Sequence, residues 1–270
     1  MSETFKDQGG ASTSEPSRLR RWVTSRLFMT RLAHADYQRK SRGKHERQRA
    51  KSGSRALIEY FHQVDDGYSY LAAQLLQQFS ERYDVDVICH LVSGPIGDNA
   101  PEPELLLRLA VEDAGHIAPH YGLEFPAAQK LPACELVEQA NAILAKQDSA
   151  GFIECVVAVN TALWNHDQAA LTALADHFGA LAPADAARQV EQGNARRTAL
   201  GHYSAAMFHY GNEWFWGVDR LCYLESLLAE LGLDNRWGEP LLAPRKDIEI
   251  GSLRDTGTLT FEIYTSLRSP

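Results

Sequence analysis

The sequence has few cysteines, and they are far apart. Cys89, Cys134, Cys155 and Cys222 form no C-x-x-C pair. This spacing argues against a zinc knuckle and against a local dithiol redox motif. We therefore interpret the four residues as reduced, mostly buried thiols.

Long apolar runs are also missing. No stretch of about 18 uncharged apolar residues occurs, which argues against a membrane-spanning helix. The opening MSETFKDQGGASTSEP contains no apolar core of a signal peptide. With 270 residues, of which 44% are hydrophobic and 23% charged, the composition is that of a soluble globular protein. We expect a cytoplasmic location.

Several common site motifs are absent as well. The sequence has no G-x-x-x-x-G-K-[ST], no G-x-S-x-G and no G-x-G-x-x-G, which removes the commonest phosphate, hydrolase and dinucleotide sites. His116 and His120 are four residues apart and could share a helix face, but no third ligand follows at a typical spacing. We predict no metal site.

Positive charge is concentrated near the N-terminus. The formal net charge is −8, yet residues 18–55 contain 13 Lys/Arg against only Asp36 and Glu46. Residues 1–15 are polar and are predicted to be disordered. Apolar residues then recur at three- and four-residue spacing through RLRRWVTSRLFMTRLAHADYQRK, so residues 1–54 are predicted to hold a basic amphipathic helix. This helix could contact the acidic body of the protein, a membrane or nucleic acid.

The next segment predicts a βαβ unit. Arg55 to Val64 has the pattern of a strand, Gly67 interrupts it, and Tyr68 to Tyr83 has the pattern of a helix. The almost wholly apolar stretch from Val85 to Val92 predicts a second strand, buried on both faces of a sheet. A strand, a helix and a strand in this order indicate an α/β protein.

A helical insertion and a hairpin complete this part of the chain. Residues from about 95 to 200 are rich in Ala, Leu, Glu and Gln and show almost no strand signal. Ala206 to Tyr210 and Glu213 to Trp216 then predict two short strands around a Gly211-Asn212 turn. A helix from Gly217 to Leu231 follows. The predicted order is βαβ, several helices, ββα.

Three stretches resemble a known family. DGYSYLA (Asp66–Ala72), EDAGHIAPHYGLEFP (112–126) and FWGVDRL (Phe215–Leu221) are similar to motifs of the DsbA-like superfamily, in its branch of 2-hydroxychromene-2-carboxylate isomerases and kappa-class glutathione transferases. The resemblance covers roughly residues 56 to 232. It implies a thioredoxin-like sheet with an inserted helical subdomain, in a domain of residues 55–235.

The resemblance also implies a function and a site. Members act as glutathione- or thiol-linked isomerases, transferases or oxidoreductases, which implies glutathione as cofactor and small aromatic substrates. A homodimer is compatible with such a module. The matching positions here are Asp66 and Ser69 as candidate catalytic residues, and Tyr68, Met207, Trp216, Asp219 and Arg220 as candidate substrate-binding residues.

Two positions depart from the family pattern. Asp66 stands where the family has a catalytic serine or a reactive cysteine, and a carboxylate there would oppose a bound thiolate. Asp66 could be a simple helix N-cap or an altered catalytic acid. Ala206 stands where the family has a cis-proline, and a cis bond before alanine costs about 3 kcal/mol, so we predict a trans bond.

These departures leave two functions open. The chain could be an active thiol-linked enzyme, supported by the intact segment that contains Asp219. It could instead be a catalytically degenerate module with a binding or structural role, supported by the changes at Asp66 and Ala206.

The last residues suggest a second unit. Thr258 to Thr265 has a clean strand pattern, and Ser269-Pro270 matches the start of the family's S-P-[FYW] turn. Residues 236–270 are therefore predicted to hold a linker and the first strand of a second, truncated thioredoxin-like repeat, with Ser269 as its candidate site residue. The alternative is an added edge strand on a single sheet.

Overall fold

The structure is a computed structural model that describes residues 35–95, 103–126 and 130–247, together with Trp22. The strand predicted at 258–265, the candidate Ser269 and most of residues 1–34 lie outside these described residues. The helices are α1 (Ala35–Ser52), α2 (Gly67–Arg82), α3 (Pro103–Tyr121), α4 (Cys134–Ala145), α5 (Ser149–Trp164), α6 (Gln168–Phe178), α7 (Pro183–Ala199) and α8 (Gly217–Glu230). The strands are β1 (Ala56–His62), β2 (Val85–Leu91), β3 (Met207–Tyr210) and β4 (Glu213–Trp216).

The four strands form one mixed sheet in the order β2-β1-β3-β4. β1 and β2 pair in parallel, with Ala56 opposite Val85, as a βα-crossover through α2 requires. β3 lies antiparallel to β1, with Phe61 opposite Met207, and β4 lies antiparallel to β3. The two short strands are joined by the Gly211-Asn212 turn predicted from the sequence, and Gly211 has the positive φ of 63° that such a turn needs.

The main core lies between the sheet and α2, α5 and α8. Ile58, Tyr60 and Phe208 point from the sheet into this core, and each is at most 1% exposed. They contact a helix face that carries Leu71 and Phe79, also fully buried. Burial of apolar surface on this scale is the main stabilising contribution to the domain.

The helical insertion between β2 and β3 consists of α3 to α7. α5 and α6 begin at aspartate N-caps: Asp148 accepts a hydrogen bond from the amide of Gly151, and Asp167 accepts one from Ala170. α7 starts at Pro183, which needs no helical N–H partner. α7 lies directly on β2 at Gly193, where an added methyl group would overlap the carbonyl oxygen of Leu91.

The chain after α8 is tied to α2 by a buried ion pair. Arg82 donates to both carboxylate oxygens of Asp234 at 3.0 and 2.9 Å, and to the carbonyls of Glu239 and Pro240. The side chains of Arg82 and Asp234 are 2% and 3% exposed. This bidentate contact fixes residues 234–240 on the domain.

Helix α1 has a basic sequence and overlaps the predicted basic helix at residues 35–40, while the rest of that predicted helix lies mostly outside the described residues. It contacts the β3-β4 hairpin through several residues, among them Arg42, which donates to both carboxylate oxygens of Glu213 at 2.6 and 2.7 Å. None of the helices in the described ranges is both long and apolar enough to cross a membrane.

Candidate functional site

The turn between β1 and α2 places Asp66 at the N-cap of α2. Its backbone is extended, and its Oδ2 accepts hydrogen bonds from the amide of Ser69 at 2.8 Å and from the Ser69 hydroxyl at 2.7 Å. Asp66 therefore satisfies helix-start amides, as an N-cap does. The next residue is Gly67, where a Cβ would lie 2.8 Å from the Cβ of Ala114, so the turn and α3 approach each other closely.

Burial changes the acidity of Asp66. The residue is 9% exposed, and desolvation raises the pKa of its carboxyl from 3.8 to about 6, against the lowering effect of the hydrogen bonds from Ser69. The neighbouring carboxylate of Asp65 contributes to the increase. Asp66 can thus hold a proton at mildly acidic pH, which an exposed aspartate does not.

Ser69 has no exposed surface. Its hydroxyl donates to Asp66 and accepts a hydrogen bond from the amide of Gln63 at 3.2 Å. These contacts connect the end of β1 to the start of α2. Ser69 therefore positions Asp66. Its hydroxyl could contact a ligand only if it became accessible to solvent.

A buried polar network that sequence reasoning missed lies beneath this turn. The Tyr60 hydroxyl donates to the carbonyl oxygen of Ser69 and lies 3.0 Å from Nδ1 of His62, while Nε2 of His62 lies 3.1 Å from the side-chain amide of Asn160. Because the Tyr60 proton is used by Ser69, Nδ1 of His62 donates and Nε2 accepts from Asn160. Complete burial lowers the pKa of His62 to about 3 and keeps it neutral.

Beside the turn, an open cleft lies between α2, α3 and the start of α8. The aromatic rings of Tyr68 and Trp216 meet edge to face at a centroid distance of 5.3 Å. The Tyr68 hydroxyl donates to Oδ2 of Asp113 at 2.7 Å. The lining residues are Tyr68, Leu71, Asp113, Ile117, Trp216, Gly217, Val218 and Asp219.

The cleft combines aromatic surface with negative charge. Burial raises the pKa of Asp219, and the charge of Asp113 adds to this increase. Burial and the hydrogen bond to Asp113 raise the pKa of Tyr68, so its hydroxyl stays protonated. The guanidinium of Arg220 lies 3.6 Å from Asp219 and is 58% exposed. An ammonium group and a ring are the ligand parts that such a cleft accommodates.

The structure therefore divides the candidate site residues into two sets. Tyr68, Trp216 and Asp219 line the cleft, and Arg220 lies at its margin. The remaining three, Asp66, Ser69 and Met207, are buried beside it. Sequence reasoning missed Asp113 as a cleft residue, although it lies in the 112–126 stretch that carried the family resemblance.

The segment before β3 differs from the family pattern as expected. No peptide bond in the described ranges is cis, so the predicted trans bond before Ala206 is confirmed. Ala206 has φ = 54°, the left-handed region that non-glycine residues rarely adopt, and its carbonyl accepts a hydrogen bond from Gly217 at 2.8 Å. Met207 follows in β3 and is 3% exposed, so its side chain does not reach the cleft.

A second group of polar and aromatic residues surrounds Trp214. The rings of His202 and His209 lie 4.7 and 4.6 Å from the Trp214 ring, and Tyr203 stacks on His202. His202, Tyr203 and His209 flank Ala206 in the sequence. None of the three belongs to the lining of the cleft beside α2.

All four cysteines are free, and none lies at the N-terminus of α2. Burial raises the pKa of Cys155 to about 11 and also raises the pKa of Cys89 and Cys222. High pKa values keep these thiols protonated and weakly nucleophilic. Among the described residues, no group of three or more His, Cys, Asp or Glu side chains is arranged to hold a metal ion.

The sheet order, the parallel β1-α2-β2 unit and the helices inserted before the β3-β4 hairpin define a thioredoxin-like fold with a helical insertion. The cleft lies at the N-terminal end of the first helix of this fold. In open α/β sheets, ligands generally bind beyond the carboxyl ends of the strands, where this cleft lies.

Comparisons with known proteins found similarity in structure. No protein-family model matches the chain, and no curated protein sequence matches it. The fold is similar to that of a 2-hydroxychromene-2-carboxylate isomerase, with 19% identity, a TM-score of 0.48, and coverage of 65% of this chain and 96% of that chain. It is also similar to the cytosolic disulfide reductase DsbM from Pseudomonas aeruginosa, with 16% identity, a TM-score of 0.41, and coverage of 65% and 97%.

The same reductase is also known in a structure with GSH, which matches this chain to the same extent. At these identities the likeness concerns the fold and assigns no activity to this chain.

Proposed function

We propose that the protein binds glutathione, or a related thiol that carries an ammonium group, in the cleft beside α2. The bound thiol would then serve an isomerisation or transfer on a small aromatic substrate. The observation that supports this proposal is the combination of Asp219 with the rings of Tyr68 and Trp216 in one open cleft. The chemistry that glutathione would supply is that of a nucleophilic sulfur.

The residues of the cleft fit most parts of this ligand. Asp219 is placed to accept hydrogen bonds from an ammonium group, and Arg220 beside it can pair with the adjacent carboxylate. Tyr68 and Trp216 offer ring surface to an aromatic substrate. Asp113 opposes a second carboxylate, so we expect the other carboxylate of the ligand to lie away from α3.

A bound thiol is needed because the chain itself has no suitable nucleophile at this position. The described cysteines are absent from the start of α2, and the Ser69 hydroxyl is buried. Asp66 is the buried titratable group at the N-cap of α2, and with a pKa of about 6 it can hold or release a proton near neutral pH. The predicted cytoplasmic location agrees with this role, since reduced thiols persist there.

A second candidate is a catalytically degenerate module that binds a ligand without turnover. The burial of Ser69 and Met207, at 0% and 3% exposure, supports this candidate. The left-handed Ala206 in place of the family's cis-proline supports it too.

Ligand-induced stabilisation combined with turnover separates the two candidates. Glutathione at about 100 times its Kd should raise the free energy of unfolding by about 2.7 kcal/mol. For the enzyme, glutathione-dependent conversion of small hydroxyaryl substrates should accompany this stabilisation. Tyr68→Ala should reduce that conversion because it removes ring surface from the cleft, and Tyr37→Ala, at an exposed position of α1, should leave it unchanged.

The three outcomes are distinct. Stabilisation with turnover supports the enzyme, and stabilisation without turnover supports the degenerate module. Absence of both contradicts the proposed binding of glutathione in this cleft.

A further inference from the structure

Helix α1 contacts the body of the protein through one face. Arg42 pairs with Glu213, and Glu46 accepts a hydrogen bond from the Tyr210 hydroxyl. The ring of His45 meets the Tyr210 ring edge to face at 5.1 Å. These contacts fix the rotation of α1 about its axis, so its other face points away from the hairpin.

That outer face carries a row of cations. Lys40, Lys44, Arg47 and Lys51 are spaced by four, three and four residues, which places them along one side of a helix. All four are exposed. We call this row the basic stripe. At about 1.5 Å per residue it is roughly 16 Å long.

The basic stripe has no acidic counterpart in the described part of the chain. Arg42 and Arg49, on the inner side of α1, pair with Glu213 and Glu46, but no described Asp or Glu forms an ion pair with the four residues of the stripe. Their charge therefore acts outward, at a distance from the acidic groups that hold the helix in place.

The sequence immediately before α1 adds apolar groups to this charge. Residues 18–34 combine Arg18, Arg20, Arg21, Arg26 and Arg31 with apolar residues that include Trp22 and Phe28. Trp22 is 57% exposed. Cationic and aromatic residues together favour the interface of a lipid bilayer, where charges meet headgroups and rings enter the acyl boundary.

We propose that the basic stripe docks the protein on an anionic lipid membrane, with α1 lying parallel to the surface. The contact is peripheral, because the stripe lies on the outside of a docked helix. The β3-β4 hairpin then lies on the membrane side of the domain, and the hairpin contacts of α1 are kept.

Charge distribution favours a membrane over nucleic acid as the partner. Of the 27 Lys/Arg and 35 Asp/Glu, 13 and 2 lie in residues 18–55, which leaves 14 against 33 for the rest of the chain. A flexible nucleic acid would also approach the acidic rest of the chain and be repelled by it, whereas a flat membrane contacts chiefly the basic stripe. The apolar residues before α1 also favour a membrane, because phosphate recognition relies on charge and does not use apolar groups.

Vesicle co-sedimentation of the full chain tests the proposal. The probes are vesicles of phosphatidylcholine alone and of phosphatidylcholine with about 30% phosphatidylserine, at low salt and at physiological salt. Binding is expected only to the anionic vesicles and should weaken as salt increases. The variant K40Q/K44Q/R47Q/K51Q should bind at least about tenfold more weakly, since each cation near an anionic surface contributes to binding.

A matched control is R108Q/K130Q/R188Q/R236Q, which removes the same charge from exposed positions elsewhere on the body. It should bind like the wild type, and K40R/K44R/K51R should retain binding. Circular dichroism and thermal unfolding establish that each variant is folded.

Four results would overturn the proposal. They are equal binding to both vesicle types, equal loss in the stripe and control variants, no binding to either vesicle, and tighter binding to an oligonucleotide than to anionic vesicles. The last result would assign the stripe to nucleic acid instead.

Discussion

Asp66 connects the stability of the domain to pH in a direction opposite to that of most aspartates. Its carboxyl is buried, and its pKa is raised from 3.8 to about 6 in the folded protein. Between these two values the folded state keeps a proton that the unfolded state has lost. The free energy of unfolding therefore falls as pH increases from about 4 to about 6, and it stays low above that range.

The change Asp66→Asn removes this ionisation and keeps an oxygen that can accept the two hydrogen bonds from Ser69. A pKa difference of about two units corresponds to about 3 kcal/mol. We expect the stability of Asp66→Asn relative to wild type to increase by about 3 kcal/mol between pH 4 and pH 7. If the free energies of unfolding of the two proteins already differ at pH 4, that difference reports how well the amide fits the N-cap.

The assay is urea unfolding of both proteins at half-unit steps from pH 4 to pH 7.5, followed by circular dichroism. Asp148→Asn is the matched control, because Asp148 caps α5 from an exposed position and tests the exchange of carboxylate for amide without burial. A difference between wild type and Asp66→Asn that is independent of pH would refute the reasoning. A wild type that gains stability relative to the variant as pH rises would refute it as well.

Two further predictions concern the buried ion pair of Arg82 with Asp234 and the close approach of α7 to β2. Arg82→Ala should lower the free energy of unfolding by about 3–5 kcal/mol, because it leaves Asp234 buried without its partner. By comparison, Arg188→Ala, which breaks an exposed ion pair, should lower the free energy of unfolding by less than about 1 kcal/mol. Gly193→Ala should destabilise strongly or prevent folding because its methyl group overlaps Leu91, while Gly43→Ala, with open space around it, should stabilise by about 0.5–1 kcal/mol. Urea unfolding measures all four, and a mild Gly193→Ala would contradict the close contact between α7 and β2.

The fold could be predicted from the sequence because its local signals are strong. The apolar stretch at Val85–Leu91, the Gly211-Asn212 turn and the FWGVDRL helix start each specify an element without help from distant residues. The order of these elements limits the sheet to few arrangements. Helix ends were less accurate, as for α2, which starts at Gly67 and ends at Arg82.

The site was harder to predict, since it depends on contacts between distant residues. The hydrogen bond from Tyr68 to Asp113 joins residues 45 positions apart, and the contact of His62 with Asn160 joins residues 98 positions apart. The apolar run of β1 indicates a buried strand but does not identify the partner of His62 in α5. Burial of Ser69 follows likewise from the packing of the turn, which no local pattern reveals.

The central claim is that the cleft beside α2 binds an ammonium-bearing thiol through Asp219. The most direct measurement is isothermal titration calorimetry of glutathione into wild type, Asp219→Asn and the control Asp176→Asn, an exposed carboxylate of α6. We predict saturable binding to wild type and to Asp176→Asn, and at least about tenfold weaker binding to Asp219→Asn, since a lost charge-assisted hydrogen bond costs about 1.5–3 kcal/mol. Equal binding by all three proteins, or no heat with wild type at millimolar glutathione, would contradict the account.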